Sequence, residues 1–239
     1  MNACANAPPR DRSVFINCPF DPGYESYLDA LMFAVLCSRC EPRSAVEEEA
    51  HTDLRLDRIV TALADSRLSI HDLSRSKGEG RQKLARFNMP FELGMAMALK
   101  LIRRQGAGGE TAPHDCVVLA EAATDPRRKV DYGRVISDIK GLEIVTYAGH
   151  GELMTATMGW LRGRLYKMGA SPLPKLLPLH AHRGWPAFCD ALAVLRQKWP
   201  GGKPLWIDRV EEGRKVVRRL EREQAPAAAT AGSTAGAPG

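Results

Sequence analysis

Ser13-Val14-Phe15-Ile16-Asn17-Cys18-Pro19-Phe20-Asp21-Pro22-Gly23 is a short apolar run that ends in a cluster of turn residues. The run has the length and content of a buried strand, and the prolines, aspartate and glycine close it as a loop. Helical periodicity follows at once: Tyr27, Leu28, Leu31, Met32, Val35 and Leu36 share one face of the segment Tyr24 to Cys40. The alternation continues outward from there. Glu41 to Val46 reads as a short edge strand, Leu54 to Ser66 as a helix with Leu56, Ile59, Val60 and Leu63 at helical spacing, and Arg67 to Leu73 as a strand running into the polar loop Ser74 to Gly80. A helix that carries Glu92 and ends by Gln105-Gly106 comes next. Cys116 to Ala120 is the clearest buried strand, Val130 to Lys140 reads as a short helix, and Leu142 to Tyr147 as a further strand. Alternation of this kind predicts a parallel sheet with helices on both faces, and such sheets bind ligands beyond the carboxyl ends of their strands.

The remaining chain is helical. Glu152 to Met168 has helical character, Ser171 to Pro178 is a proline-rich connection, and a helix within Gly184 to Trp199 carries Trp185, Phe188, Leu192 and Leu195, with Trp206 beyond it. The predicted organisation is a sheet domain over 13–150 and a helical appendage over 151–223 packed on it. Residues 1–12 and the Ala, Gly, Pro and Thr tail 224–239 are expected to be disordered.

Composition sets outer bounds. With 239 residues, 44% hydrophobic and 26% charged, the chain can bury one large core. No apolar run approaches the ~20 residues that span a bilayer, and Met1 to Arg12 lacks the apolar centre of a secretory signal, so a cytoplasmic location and no membrane contact are expected. The cysteines are scattered, which reads as reduced thiols. Cys37-Ser-Arg-Cys40 has the spacing of redox and zinc motifs, yet it closes an apolar helix and has no second pair, so its expected role is packing. His180-Ala-His182 has no nearby Cys, Asp or Glu set to complete a tetrahedron; these read as surface histidines in the proline-rich connection, and no metal is expected. The net charge of +6 comes from bases mixed with acids. Arg209 to Arg222 reads as a solvated helix with an apolar Val and Leu stripe rather than a nucleic-acid helix.

The segment with most chemical content is Arg86-Phe87-Asn88-Met89-Pro90-Phe91-Glu92-Leu93-Gly94-Met95-Ala96. Asn88 can cap a helix and Pro90 is tolerated in the first turn, which would put Glu92 about one turn from the cap, where the helix dipole favours an ionised carboxylate. That carboxylate either acts as a nucleophile or merely satisfies the helix terminus. Marking the strand ends brings further polar residues to the same rim. Asn17 and Asp21 follow the first strand, and Asp72, Ser74 and Arg75 close the third. Asp72 either holds a base or ribose hydroxyl or caps its own turn, and Arg75 and Arg86 can neutralise phosphate. Phe20, Phe87, Met89 and Phe91 can line a pocket for a planar base, with at least two of them expected in the core; His71 is expected to pack under a helix.

Phe-Ile-Asn-Cys-Pro-Phe-Asp at the first strand, Ser-Ile-His-Asp-Leu-Ser at the third, and Phe-Glu-Leu-Gly-Met-Ala-Met-Ala-Leu on the next helix resemble the nucleoside 2-deoxyribosyltransferase family. More distantly they resemble the bacterial Toll/interleukin-1 receptor (TIR) domains that cleave NAD. The resemblance spans Ser13 to Tyr147 and is most specific at Glu92, Gly94 and Ala96. It implies a flavodoxin-like or TIR-like parallel sheet of about five strands, with the C-terminal helices added. It also implies N-glycosidic bond cleavage with Glu92 as catalytic carboxylate and Asp72 as the acid that contacts the base; together with the residues read from the strand ends and the helix start, the expected substrate site comprises Asn17, Phe20, Asp21, Asp72, Ser74, Arg75, Asn88 and Met89. The expected partner is a nucleotide or nucleoside, with NAD as a substrate rather than a cofactor, in a homo-oligomer that serves bacterial defence signalling; nucleic acid is not an expected partner. Arg86-Phe87-Asn88 replaces the transferases' Asp-x-Gly, and the tryptophan common before the glutamate of NAD-cleaving TIR domains is absent. The alternative is a nucleotide sensor or a self-associating module that does no chemistry.

Overall fold

The computed structural model describes residues 10–47, 54–74, 88–104, 113–123, 132, 136 and 139–224. Strands β1 (Ser13–Asn17), β2 (Glu41–Ser44), β3 (Leu68–Asp72), β4 (Asp115–Glu121) and β5 (Ile144–Tyr147) form one parallel sheet in the order β2-β1-β3-β4-β5. This is the flavodoxin-like order, which reverses direction between β1 and β3. The helices are α1 (Glu25–Cys37), α2 (Arg55–Ala64), α3 (Asn88–Arg104), α4 (His150–Lys167), α5 (Pro178–Gln197) and α6 (Trp206–Glu223). The predicted short helix in 130–140 falls mostly outside the described residues.

Strand alternation sorts the core onto two faces. Val14 and Ile16 of β1, Leu68 and Ile70 of β3, and Val117 and Leu119 of β4 lie in one core with α1, α4, α5 and α6, in which α1 and α4 meet the sheet. Phe15 faces the other way, onto Ile59, Leu63 and Ala96 of α2 and α3, while Val118 meets Met89 and Leu93. Helix α1 is buried continuously from Leu28 to Cys37, because α4, α5 and α6 cover it opposite the sheet. A helix apolar all round belongs inside a core. Its buried Asp29 is held by Arg196 of α5 at 2.8 Å and by Arg209 of α6. Cys37 and Cys40 are buried free thiols, and burial raises the Cys40 thiol to about 12.

Several boundaries differ from the expectations for identifiable reasons. Arg10–Arg12, read as disordered, form a 3-10 turn, with Asp11 paired to Arg67 at 2.7 Å. Helix α5 starts at Pro178, so His180 and His182 lie on its first turns and not in a connection. Proline at the opening of a helix loses no bond, and a second proline, Pro186, is carried inside the helix. His182 Nε2 lies 2.9 Å from the Gly151 carbonyl, and no metal-binding cluster occurs among the described residues. Trp206 opens α6, whose buried side comprises Trp206, Arg209, Val210, Gly213, Val216, Val217 and Leu220. No helix among the described residues is long and apolar enough to cross a membrane.

At Gly213 α6 lies against α1 and α5 with no room for a side chain. A Cβ there would meet Leu36 Cδ1 at 2.5 Å and Phe188 Cε2 at 3.3 Å. Gly213→Leu is therefore expected to destabilise the fold by at least about 2 kcal/mol through overpacking, read from the urea midpoint.

Candidate functional site

The sheet reverses direction between Asn17, the last residue of β1, and Asp72, the last of β3. Helix α3 begins just beyond. Its buried positions are Met89, Glu92, Leu93 and Ala96, the i, i+3, i+4, i+7 face that lies on the sheet. Glu92 is thus on the inner face of α3, only 3% exposed. This corrects two expectations. Asn88 is exposed and already helical, so it is not a cap in front of the helix, and no acidic residue occupies the first described turn. Glu92 lies four residues beyond Asn88 on the buried side of the helix, and burial decides its ionisation. Burial raises its carboxyl to about 7, with the Arg55 charge on α2 offsetting only part of the penalty. Its Oε2 is buried and has no hydrogen-bond partner among the described residues.

A buried polar chain fixes α3 over the sheet. Asn17 Nδ2 donates to the Met89 carbonyl and to His71 Nδ1, both at 3.0 Å. His71 Nε2 lies 2.9 Å from Ser69 Oγ, which lies 2.8 Å from His114 Nε2, and His114 Nδ1 is 3.1 Å from the Ser66 carbonyl. The carbonyl can only accept, so the direction of every bond follows from that end. His114 Nδ1–H donates to it, the Ser69 hydroxyl donates to His114, His71 Nε2–H donates to Ser69, and His71 Nδ1 accepts from Asn17. The chain is complete with both histidines neutral. His71 is packed under a helix, as expected, and also positions one.

Burial, and secondarily the neighbouring His114, lowers His71 to about 3, and burial lowers His114 to about 4. The unfolded chain takes up protons that the folded one refuses, so stability is full above about pH 6.5 and is lost as pH falls toward 4. Glu92 acts in the opposite sense. Its contribution is full below about pH 4.5 and is lost as pH rises through 7. Two histidines outweigh one carboxyl, so the wild-type urea midpoint is expected to fall between about pH 6.5 and 4.5, and to fall more steeply in Glu92→Gln.

Asp72 faces the opposite side of the sheet. It is fully buried, Oδ1 accepts the Ser74 backbone N–H at 2.8 Å, and Oδ2 accepts the Tyr147 hydroxyl at 2.8 Å. Tyr147 in turn meets Tyr24 at 3.0 Å and Ser74 Oγ at 3.1 Å, and Ser74 Oγ accepts the Glu121 N–H at 2.6 Å. Burial raises the Asp72 carboxyl, against the lowering effect of Ser74, Tyr147 and Tyr24. Of the two roles open to Asp72, capping its own turn is the one these contacts show, because protein donors hold both oxygens.

The predicted site residues therefore form three groups. Asn17 bonds Met89 on the α3 face, where Glu92 is also buried; Asp72 and Ser74 meet on the α1 face; Phe20 and Asp21 line a groove beside α6. Cys18, between them in sequence, has its thiol raised by burial and by the charges of Asp72, Glu92 and Asp21, a common electrostatic neighbourhood. Of the aromatic and methionine set, Met89 is in the core under α3, Phe20 packs partly buried against the separate core on the α1 face, and Phe91 is exposed. Arg75, Arg86 and Phe87 lie outside the described residues. Sequence reasoning missed Ser69, His114, Tyr24 and Tyr147. The signal for Tyr147 was its place at the end of the last strand, on the same rim as Asp72.

Comparison of the chain with protein-family models and with curated proteins returns no match.

Proposed function

We propose that the protein cleaves the N-glycosidic bond of a nucleotide, with NAD the first candidate, and that Glu92 is the reacting carboxylate. The observation that carries this reading is the burial of Glu92 at the sheet's point of reversal with an oxygen left unpartnered and a carboxyl near neutrality. A protein that buries a carboxylate without a partner loses stability, and such groups concentrate at functional sites. The resemblance of the Glu92 segment to the deoxyribosyltransferases and NAD-cleaving TIR domains supplies the reaction class.

The chemistry needs negative charge beneath a cationic sugar carbon. As the C1′–N bond breaks, its electron pair leaves with the base and the sugar carbon becomes oxocarbenium-like. Ionised Glu92 stabilises that carbon or bonds to it, and water then adds its oxygen to C1′ and releases a proton, in the second case breaking the Glu92–C1′ bond and returning its electron pair to the carboxylate. The substrate determines which form of Glu92 is useful. Nicotinamide departs neutral from a cationic ring and requires no proton, so NAD cleavage is expected to rise with pH through about 7. A neutral nucleoside base requires a proton from the carboxyl, so its cleavage is expected to fall over the same range. Initial rates from about pH 5.5 to 8.5 decide between the two.

The alternative is a nucleotide sensor or self-associating module that does no chemistry. It is favoured by the engagement of both Asp72 oxygens and by the separation of Phe20 and Asp21 from Glu92. Incubation of the purified chain with NAD, deoxynucleosides and cyclic nucleotides, followed by mass spectrometry, tests the proposal. Free nicotinamide or free base, lost in Glu92→Gln, is the expected result; unchanged ligand with a binding isotherm supports the sensor.

A further inference from the structure

The outer surface of α2 and α3 is apolar and uncovered. On α3, Phe91, Leu101 and Ile102 are 55–58% exposed, and Gly94 and Ala98 lie exposed between them. These positions share the side of the helix opposite Met89, Leu93 and Ala96, which face the sheet. On α2, Leu56 and Val60 are 45% and 46% exposed and stand in line with buried Leu63. Leu63 shares a core cluster with Met95, Ala96 and Leu99 of α3, so the exposed lines of the two helices adjoin.

No charge interrupts this face. Glu92, the one ionisable residue of α3 before Lys100, is on the buried side. Lys100 is drawn to Asp115 at 2.7 Å and Arg103 donates to the Ala64 carbonyl at 2.8 Å, which leaves Arg104 at the end of α3, and Arg55 and Asp57 at the start of α2, as rim charges. The five large side chains expose roughly 500 Å² of apolar surface, toward the upper end of what a monomer carries and more than half of the ~800 Å² that each partner gives to a stable complex. The order of side-chain sizes along α3 selects the occupant. A two-fold axis crossing the helix between Ala96 and Met97 sets Phe91 of one copy beside Ile102 of the other, and Met95 of one against Ala98 of the other. Open space surrounds Gly94, where a Cβ would meet nothing within 4 Å, so the helix axes can approach to about 8 Å. A face that is complementary to itself under a two-fold rotation fits a second copy of the chain.

We propose that a second copy of this chain docks on the outer face of α2 and α3, with the two α3 helices antiparallel about a two-fold axis. The contact does not depend on the reaction proposed at Glu92. Phe91 belongs to the opening turn of α3 that Asn17 ties to β1 through the Met89 carbonyl, so the second copy holds that turn from the opposite side.

Sedimentation velocity of the full chain is expected to show a dimer that dissociates on dilution, with Kd below about 50 µM. Ala98→Glu and Ile102→Lys, both at exposed positions, are each expected to raise Kd at least about tenfold while the circular dichroism of the monomer stays unchanged. Cross-linking reads the orientation. A mixture of Phe91→Cys and Ile102→Cys chains, treated with oxidised glutathione, is expected to give a disulfide-linked dimer in several-fold higher yield than either variant alone. A wild type that stays monomeric at about 200 µM overturns the proposal and leaves the face to a different protein. A dimer unmoved by both substitutions, or cross-linking no stronger in the mixture than in the separate variants, overturns it as well.

Discussion

Glu92→Gln is expected to abolish turnover, by a factor of at least about a thousand, and at the same time to make the protein more stable at alkaline pH. The second effect has a size. With the folded carboxyl at about 7 against 4.5 for an unperturbed one, ionisation at about pH 8 opposes folding by roughly 3 kcal/mol, and glutamine removes that opposition. The difference between variant and wild type shrinks as pH falls and disappears below about 4.5, where both side chains are neutral. Urea denaturation across that range checks it. A glutamate that merely serves a helix end gives the opposite pattern, with the wild type more stable at high pH, since the dipole would favour its ionised form.

The distribution of the site over two faces explains how much of it was legible. The central strands were readable because burial on both faces leaves continuous apolar runs, such as Cys116 to Ala120. The edge strand Glu41–Ser44 has one neighbour and a polar sequence, and only its place between helices marked it. Glu92 was visible as an anomaly, but its depth was not. Phe91, Leu101 and Ile102 make the outer side of α3 apolar as well, so periodicity alone did not show which side met the sheet. Asn17 and Asp72 were correctly brought to one rim, yet strand alternation turns them to opposite faces, with His71, and not Asp72, beside Asn17. The hydrogen-bonded chain from Asn17 to Ser66 joins residues 45 and 54 positions apart, and no local spacing carries that information.

Asn17→Ala is the second large perturbation. It removes both bonds of Nδ2, leaving His71 Nδ1 buried and unpaired and the Met89 carbonyl with only its helical bond. The orphaned nitrogen costs about 1–3 kcal/mol and the bond lost from the carbonyl about 0.5–1.5 kcal/mol, so a loss of roughly 1.5–4.5 kcal/mol is expected in urea denaturation. Activity is expected to fall further than stability accounts for, because the opening turn of α3 loses its tie to β1 and Glu92 its position. Under conditions where the variant is still folded by circular dichroism, kcat is expected to drop at least about tenfold. Asn17→Ser, too short to reach both acceptors, should recover little of either property, whereas a residue needed only to fill space would be largely restored.

The carboxyl of Glu92 can be observed directly. Carbon-13 NMR of the glutamate side-chain carboxyls, with the Glu92 signal assigned by its absence in Glu92→Gln, follows its titration in the folded protein. The expected midpoint is near 7; a midpoint at about 4.5 would show an ordinary solvated glutamate and would contradict the site described here.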